Sequence, residues 1–190
     1  MALLAGGEGR RMGSPKHLLR NKASGESLLQ HQLRRFAMAP FQARYLVGHS
    51  QTIEVPEGWT QLPDPQGLQG EGPLAGILAA LTATTSDRLA VLALDYPHLP
   101  SELLLGLAEE GREWCTYADN EGRPQWLCSV LSVSLRDELR KQMLAGGRSV
   151  HRFAKQQDLA VLEPPAGQQE AFLNLNRAED LEDSGFEKPR

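Results

Sequence analysis

The hydrophobic pattern alternates between short continuous apolar runs and stretches where apolar residues recur at helical spacing. Ala2, Leu3, Leu4 and Ala5 run unbroken into Gly6 and Gly7, which reads as a buried strand over 1–5 closing in a loop. A central strand is ordinarily longer, so a residue or two more is expected upstream. His17, Leu18 and Leu19 are expected to return the chain to the core, and 21–26 reads as a polar turn. Ser27 caps a helix with Leu28, Leu29, Leu33, Phe36 and Ala37 on one side, and Pro40 ends it. Strands follow over 43–47 and 59–62, the second stopping at Pro63 and Asp64. A glycine-rich loop over 66–72 leads to Pro73, suited to a first helical turn, with Leu74, Ile77, Leu78 and Leu81 behind it. The run RLAVLAL over 88–94 is the strongest strand, apolar on both faces as a covered parallel strand should be. It stops at Asp95, and Ser101 is expected to cap the next helix.

The second half changes character. Strands over 114–118 and 125–133 are joined by Asp119, Asn120, Glu121 and Gly122, a hairpin-like signal. Ser134 opens a helix with Leu135, Leu139 and Met143, and Ser149 a short one through Lys155. A late strand spans 159–162, and 171–175 reads as extended, so Asn174 and Asn176 would share one face. The end, about 183–190, is polar and expected to fray. Together these elements predict one α/β domain over 1–190. It would be a three-layer α/β/α Rossmann-like fold, its sheet mostly parallel with an antiparallel strand in the second half.

Composition narrows the functions. A formal net charge of -4 without a long basic run argues against nonspecific nucleic-acid binding. The two cysteines, Cys115 and Cys128, are too few for a disulfide framework or zinc cluster, and suit a reducing cytosol. No apolar run is long enough to span a bilayer, and the start lacks the basic region of a signal peptide, so a cytoplasmic protein is expected. The five histidines make no metal-spaced cluster, and no nucleophile elbow is present.

The candidate chemistry begins in LAGGEGRRMGSPK, over 4–16. Glycines allow backbone N–H groups to turn inward around an anion, while Arg10, Arg11 and Lys16 add positive charge, so the loop reads as a triphosphate cradle. A Walker A loop fails, because Pro15 precedes Lys16 and no Ser or Thr follows. A dinucleotide-binding turn wants an acidic residue after the second strand, where Gly48, His49 and Ser50 stand instead. An ordinary basic surface loop is the remaining alternative. Asp95, straight after a buried strand, is placed either to hold Mg²⁺ with substrate phosphates or to cap the following turn. Asp64 could face the same pocket or serve its own turn. Ala75 and Gly76 bring small residues either to a ligand or to close helix–sheet packing. Asn174 and Asn176 could face phosphate, ligand or metal shell, or be purely structural.

These segments resemble a family. LAGGEGRRMGSPKHLL is similar to the LAGGxSxRMGxxK signature of nucleotidyltransferases with a glycosyltransferase-A-like Rossmann core. GPLAGIL, LALDYPHLP and NLNRAEDL resemble, in order, later segments of the molybdenum cofactor guanylyltransferase (MobA-like) branch. The resemblance implies transfer of GMP from GTP, with Mg²⁺, to the phosphate of molybdopterin or Mo-molybdopterin, releasing pyrophosphate. It implies that Leu4, Ala5, Gly6 and Gly7 line the base and ribose, and that Arg11 and Lys16 hold the triphosphate. Asp64 would lie near the nucleotide, Asp95 would bind Mg²⁺, and Asn174 and Asn176 would face the phosphates or the pterin. Molybdoenzyme maturation proteins are implied partners. Gly6–Gly7 matches the guanylyl branch, whereas Gly13, Ser14 and Pro15 before Lys16 are nearer the cytidylyl relatives, and Gly9 stands where Ser is common. A CTP-dependent enzyme, another small nucleotidyltransferase and a non-catalytic nucleotide-binding partner are the alternatives.

Overall fold

The computed structural model describes residues 1–6, 12–49 and 54–189 of the chain. Seven strands form one sheet: β1 (Ala2–Leu4), β3 (Arg44–Val47), β4 (Trp59–Leu62), β5 (Arg88–Ala93), β6 (Trp114–Ala118), β7 (Pro124–Ser132) and β8 (Leu159–Leu162). Their order is β4-β3-β1-β5-β7-β6-β8. Six run in one direction; β7 alone is antiparallel, to both β5 and β6. A small second sheet pairs β2 (Arg20–Asn21) with β9 (Phe186–Glu187).

Alternation along the strands divides the core in two. Leu3 and Leu92 face a layer built from α1 (Leu28–Ala37) and α3 (Ser101–Ala108). Ala2, Leu4, Leu89 and Val91 face a layer built from α2 (Pro73–Ala83), α4 (Arg136–Leu144) and α5 (Val150–Ala154). Helix α2 is buried continuously from Leu74 to Leu81, because it lies between the sheet and α4. Only a helix covered on most sides can be apolar all round. Gly76 explains how closely it lies: a Cβ there would meet Val47 at 3.1 Å and Leu4 at 3.4 Å. Of the two roles open to Gly76, the helix–sheet contact is the one seen.

Ser27 caps α1 as expected, accepting from the Gln30 N–H at 3.2 Å while Gln30 Oε1 accepts from the Ser27 N–H at 3.0 Å. Ser149 likewise caps α5. Other expectations change. Leu18 is exposed, and Leu19 alone makes the return to the core. Ser101 is the first residue of α3 rather than its cap; extended Pro100 holds the cap position. A 3₁₀ turn, Val133–Leu135, precedes α4, with Ser132 accepting from the Ser134 N–H.

The C-terminal third holds two larger differences. Residues 171–175 are not a strand: a 3₁₀ turn, Gln169–Phe172, leads into an irregular segment. Its Leu175 N–H bonds to the Asp95 carbonyl at 2.9 Å, so the segment crosses the end of the sheet instead of joining a ladder. The terminal stretch does not hang free either. Phe186 is fully buried against His31 and His98, and β9 is paired. A single aromatic anchor there outweighs its charged neighbours, since burying a Phe removes a large apolar area from water.

Candidate active site

Parallel strands carry their carboxyl ends to one edge, and register fixes who meets there. Leu62, Val47, Leu4 and Ala93 lie in one row across β4, β3, β1 and β5. The residues just beyond that row are Asp64, Gly48, Gly6 and Asp95. The β6–β7 turn opens on the same edge, because β6 runs parallel to β5. In sheets of this kind ligands sit outside the carboxyl ends.

Gly6 and Gly48 touch through their backbones. A Cβ on Gly6 would lie 2.7 Å from the Gly48 carbonyl oxygen, and Gly48 itself sits at φ +73°. Both positions therefore require glycine: one for space, the other for a left-handed backbone. The side chains of Leu4 and Ala5 are buried in the two core layers, and Gly6 is the first residue of the run with exposed surface. Gly7 and Arg11, together with Glu8, Gly9 and Arg10, lie outside the described residues.

Lys16 stands at the start of a 3₁₀ turn spanning Lys16–Leu18. Its ammonium donates to Asp95 Oδ2 at 2.8 Å and to Asn176 Oδ1 at 2.9 Å. Both partners of the ion pair are about one-fifth exposed, 22% and 20%, so water screens it only in part. The other oxygen, Asp95 Oδ1, is buried and has no hydrogen-bond partner among the described residues. A buried carboxylate oxygen without a donor is costly, and a hard divalent cation is the natural occupant. Asp95 therefore fits Mg²⁺, with the remaining ligands expected from phosphates and water.

Asp64 shows a related pattern. Its Oδ2 accepts from the Gly70 N–H at 3.0 Å and closes the glycine-rich loop, while Oδ1 is buried without a partner among the described residues. The turn role is thus observed, and one oxygen remains for a ligand. Asn174 and Asn176 lie side by side despite the missing strand: Asn176 Nδ2 donates to Asn174 Oδ1. Asp180 holds this segment by accepting the N–H groups of Asn176 and Arg177, both at 2.7 Å.

Three residues absent from the sequence-based candidates join them. Tyr96 is buried beside Asp95, and its hydroxyl donates to Gln125 Oε1 at 2.7 Å. Gln125 in turn donates to Asp119 Oδ2 at 3.1 Å. The one available signal was the position of Tyr96, immediately after the carboxylate. Beyond these residues lies a cleft of about 440 Å³ between the β6–β7 turn and the 169–180 segment.

A mostly parallel α/β sheet whose carboxyl edge presents a lysine, a half-free carboxylate and paired amides defines a nucleotide-handling protein of the nucleotidyltransferase class. The chain belongs to the MobA-like NTP transferase domain family, whose model matches residues 1–161. It is 31% identical over 183 residues to the molybdenum cofactor guanylyltransferase of Shewanella putrefaciens, covering 94% of this chain and 91% of the relative. To the enzyme of the same name from Rhizobium rhizogenes it is 32% identical over 204 residues, covering 96% and 88%. Among solved structures, the molybdopterin-guanine dinucleotide biosynthesis protein A of Archaeoglobus fulgidus shares the fold, with a TM-score of 0.75 at 24% identity over 94% and 93% of the two chains. A manganese complex of Rv0371c from Mycobacterium tuberculosis also shares it, with a TM-score of 0.58 at 17% identity over 86% of each chain.

Proposed function

We propose that this chain transfers GMP from GTP to the phosphate of molybdopterin or Mo-molybdopterin, giving a guanine dinucleotide cofactor and pyrophosphate. The observation that carries the reading is the Lys16 ammonium bridging Asp95 and Asn176 at the carboxyl edge. It stands in a chain whose curated relatives are named guanylyltransferases.

The nucleophile is an oxygen of the acceptor's phosphate monoester, anionic at neutral pH. It attacks the α-phosphorus of GTP; the new P–O bond forms as the bond to the β,γ-pyrophosphate breaks. No proton need be abstracted, so the enzyme's work is alignment and charge neutralisation. Lys16 and Arg11 would neutralise the triphosphate, and the backbone around Gly6 and Gly7 would cradle it. Leu4, Ala5, Gly6 and Gly7 would border the base and ribose through their backbone. Asp64 would meet the nucleotide through its free oxygen, while Asn174 and Asn176 would face the acceptor. Asp95 would hold Mg²⁺, which when bound offsets negative charge between the phosphates. The reaction would take place in the cytoplasm, a setting with which the free thiols of Cys115 and Cys128 are consistent. Proteins of molybdoenzyme maturation would then receive the product.

A thermal-shift panel of GTP, CTP, ATP and UTP with Mg²⁺, followed by pyrophosphate release with molybdopterin, tests this. GTP-selective stabilisation and pyrophosphate release are expected. Stabilisation by CTP alone would move the enzyme to the cytidylyl class. Tight GTP binding with no pyrophosphate released would make it a binding partner.

A further inference from the structure

Helix α1 packs Leu29, Leu33 and Phe36 into the core, yet Gln32 and Arg35 stand among them. Gln32 is fully buried and Arg35 half-buried. Three positions apart on a helix, the two are neighbours on its surface. Polar groups in such a place must be hydrogen-bonded or they weaken the fold. Both direct their hydrogen bonds at one short piece of chain, the turn that begins at Asp95.

Gln32 Nε2 donates to the Tyr96 carbonyl at 2.7 Å. Arg35 donates through Nη1 to the Pro97 carbonyl, and through Nη2 to the Leu99 carbonyl at 3.0 Å. Nη1 also donates to Gln32 Oε1 at 3.1 Å. That bond fixes the amide, because with its oxygen engaged only its nitrogen can face Tyr96. Residues 94–99 form neither helix nor strand, and Pro97 brings no N–H of its own. The turn's internal bonds are long: Tyr96 N–H to the Ala93 carbonyl and Leu99 N–H to the Tyr96 carbonyl are both 3.4 Å. The shape of the turn is therefore set from α1. Among the described residues, the hydrogen bonds of Arg35 go to carbonyl and amide oxygens and none to a carboxylate. A half-buried cation held in this way is an expensive means of packing a helix, since an apolar side chain would fill the space without desolvating a charge.

Asp95 opens this turn. Its Oδ2 accepts from Lys16 at 2.8 Å, and its carbonyl accepts from the Leu175 N–H at 2.9 Å. Its Oδ1 meets no donor among the described residues. Where that oxygen points depends on the backbone that follows it. We propose that Gln32 and Arg35 are positioning residues that act through the carbonyls of Tyr96, Pro97 and Leu99. They fix the backbone after β5 and, with it, the direction in which Asp95 presents its second oxygen to a divalent cation. The inference rests on the reading of Asp95 as the cation's ligand. A misplacement of about 1 Å at a reacting centre can lower a rate by roughly a hundredfold, so such support is worth its burial.

Calorimetry on the full chain tests this without turnover, by measuring Mn²⁺ affinity at saturating GTP and GTP affinity in EDTA. Gln32→Met and Arg35→Met, which keep length and lose the donors, should each weaken Mn²⁺ binding about tenfold, the scale of one lost hydrogen bond at its upper end. GTP affinity in EDTA should stay within about twofold of wild type on the same reasoning. Arg35→Lys keeps the charge but loses the fork, so it should lose only about threefold, and it keeps the test open should the methionine variants fail to fold. Leu33→Ala, on the same helix, should lower the melting temperature and leave Mn²⁺ affinity unchanged. Asp95→Ala is the reference and should abolish the Mn²⁺ response. Wild-type Mn²⁺ affinity in the Gln32 and Arg35 variants, or an equal loss in Leu33→Ala, overturns the positioning role while leaving the cation on Asp95. A Mn²⁺ response that is undiminished in Asp95→Ala, or absent from the wild type, overturns the reading of Asp95 and the proposal with it.

Discussion

Among the described residues the single Lys16 ammonium has two oxygen partners, and that arithmetic governs the site. While Lys16 pairs with Asp95, the carboxylate's charge is largely answered, so a bare divalent ion gains little by binding. On the proposed reading, a nucleotide would change this by offering Lys16 a triphosphate and the metal its phosphate ligands at once. Calorimetric titration with Mn²⁺ alone should therefore show negligible binding, and Mn²⁺ with GTP should bind well. Strong binding of Mn²⁺ alone would contradict the pairing. For catalysis, Lys16→Ala and Asp95→Ala should each lower turnover by roughly a hundredfold or more, the scale of one lost electrostatic contact in the transition state. Pyrophosphate release at near wild-type rate in either variant would remove that residue from the chemistry. Gly6→Ala is a different kind of test. Its methyl group would strike the Gly48 backbone, where no side chain can move aside, so both melting temperature and nucleotide-induced stabilisation should fall.

The elements differ in how far their residues announce them. The run over 88–94 was readable because a strand buried on both faces needs apolar residues without interruption, and β5 has them. Trp59–Leu62 and the Pro73 helix start were readable from local chemistry, a bounded strand and a proline at a first turn. The segment after Pro165 misled because its extended-looking residues bond to Asp95 across the chain, which no local pattern encodes. The Tyr96–Gln125 bond joins residues 29 positions apart, so it too depends on the assembled sheet. Phe186 was hidden among charges. Phe186→Ala should cost about 3–5 kcal/mol, as for other buried aromatics. A melting temperature unchanged by that substitution would restore the frayed tail. Helix α1 carries a pH-dependent contact nearby. Hydrogen bonding and charge from Arg34 hold the Glu26 carboxyl below its ordinary 4.5, whereas burial lowers His31 against Glu26's opposing pull, leaving that imidazole neutral at pH 7. A depressed carboxylate stabilises the fold above its unfolded value and ceases to do so as pH falls through the folded one. Glu26→Gln should accordingly melt below wild type at pH 7, and the gap should close as pH drops beneath 4.5. A gap that persists at pH 3 would assign the effect to packing.

At the scale of the whole molecule, the two core layers share their strands. Leu3 turns to one layer and Leu4 to the other, and Ala90 and Val91 do the same on the neighbouring strand β5. Neither layer can open without exposing the back of the other, because a strand that leaves the sheet uncovers both faces at once. On this ground we propose that the chain unfolds as one domain, although β6 and β8 lie on the far side of the antiparallel β7. Tryptophan positions make the idea measurable: Trp59 packs in the layer of α1 and α3, and Trp114 in that of α2 and α4. Single-tryptophan variants retaining one or the other should give denaturation curves that coincide with each other and with far-ultraviolet circular dichroism. Leu3→Ala and Leu4→Ala, which empty opposite layers, should each shift both curves together by about 2–5 kcal/mol. Were the Trp114 curve to fall at lower denaturant than the Trp59 curve, the β6–β8 end would be a separate unit. The cleft of about 440 Å³ built on the β6–β7 turn would then rest on a part of the molecule able to open independently of the edge that carries Lys16 and Asp95.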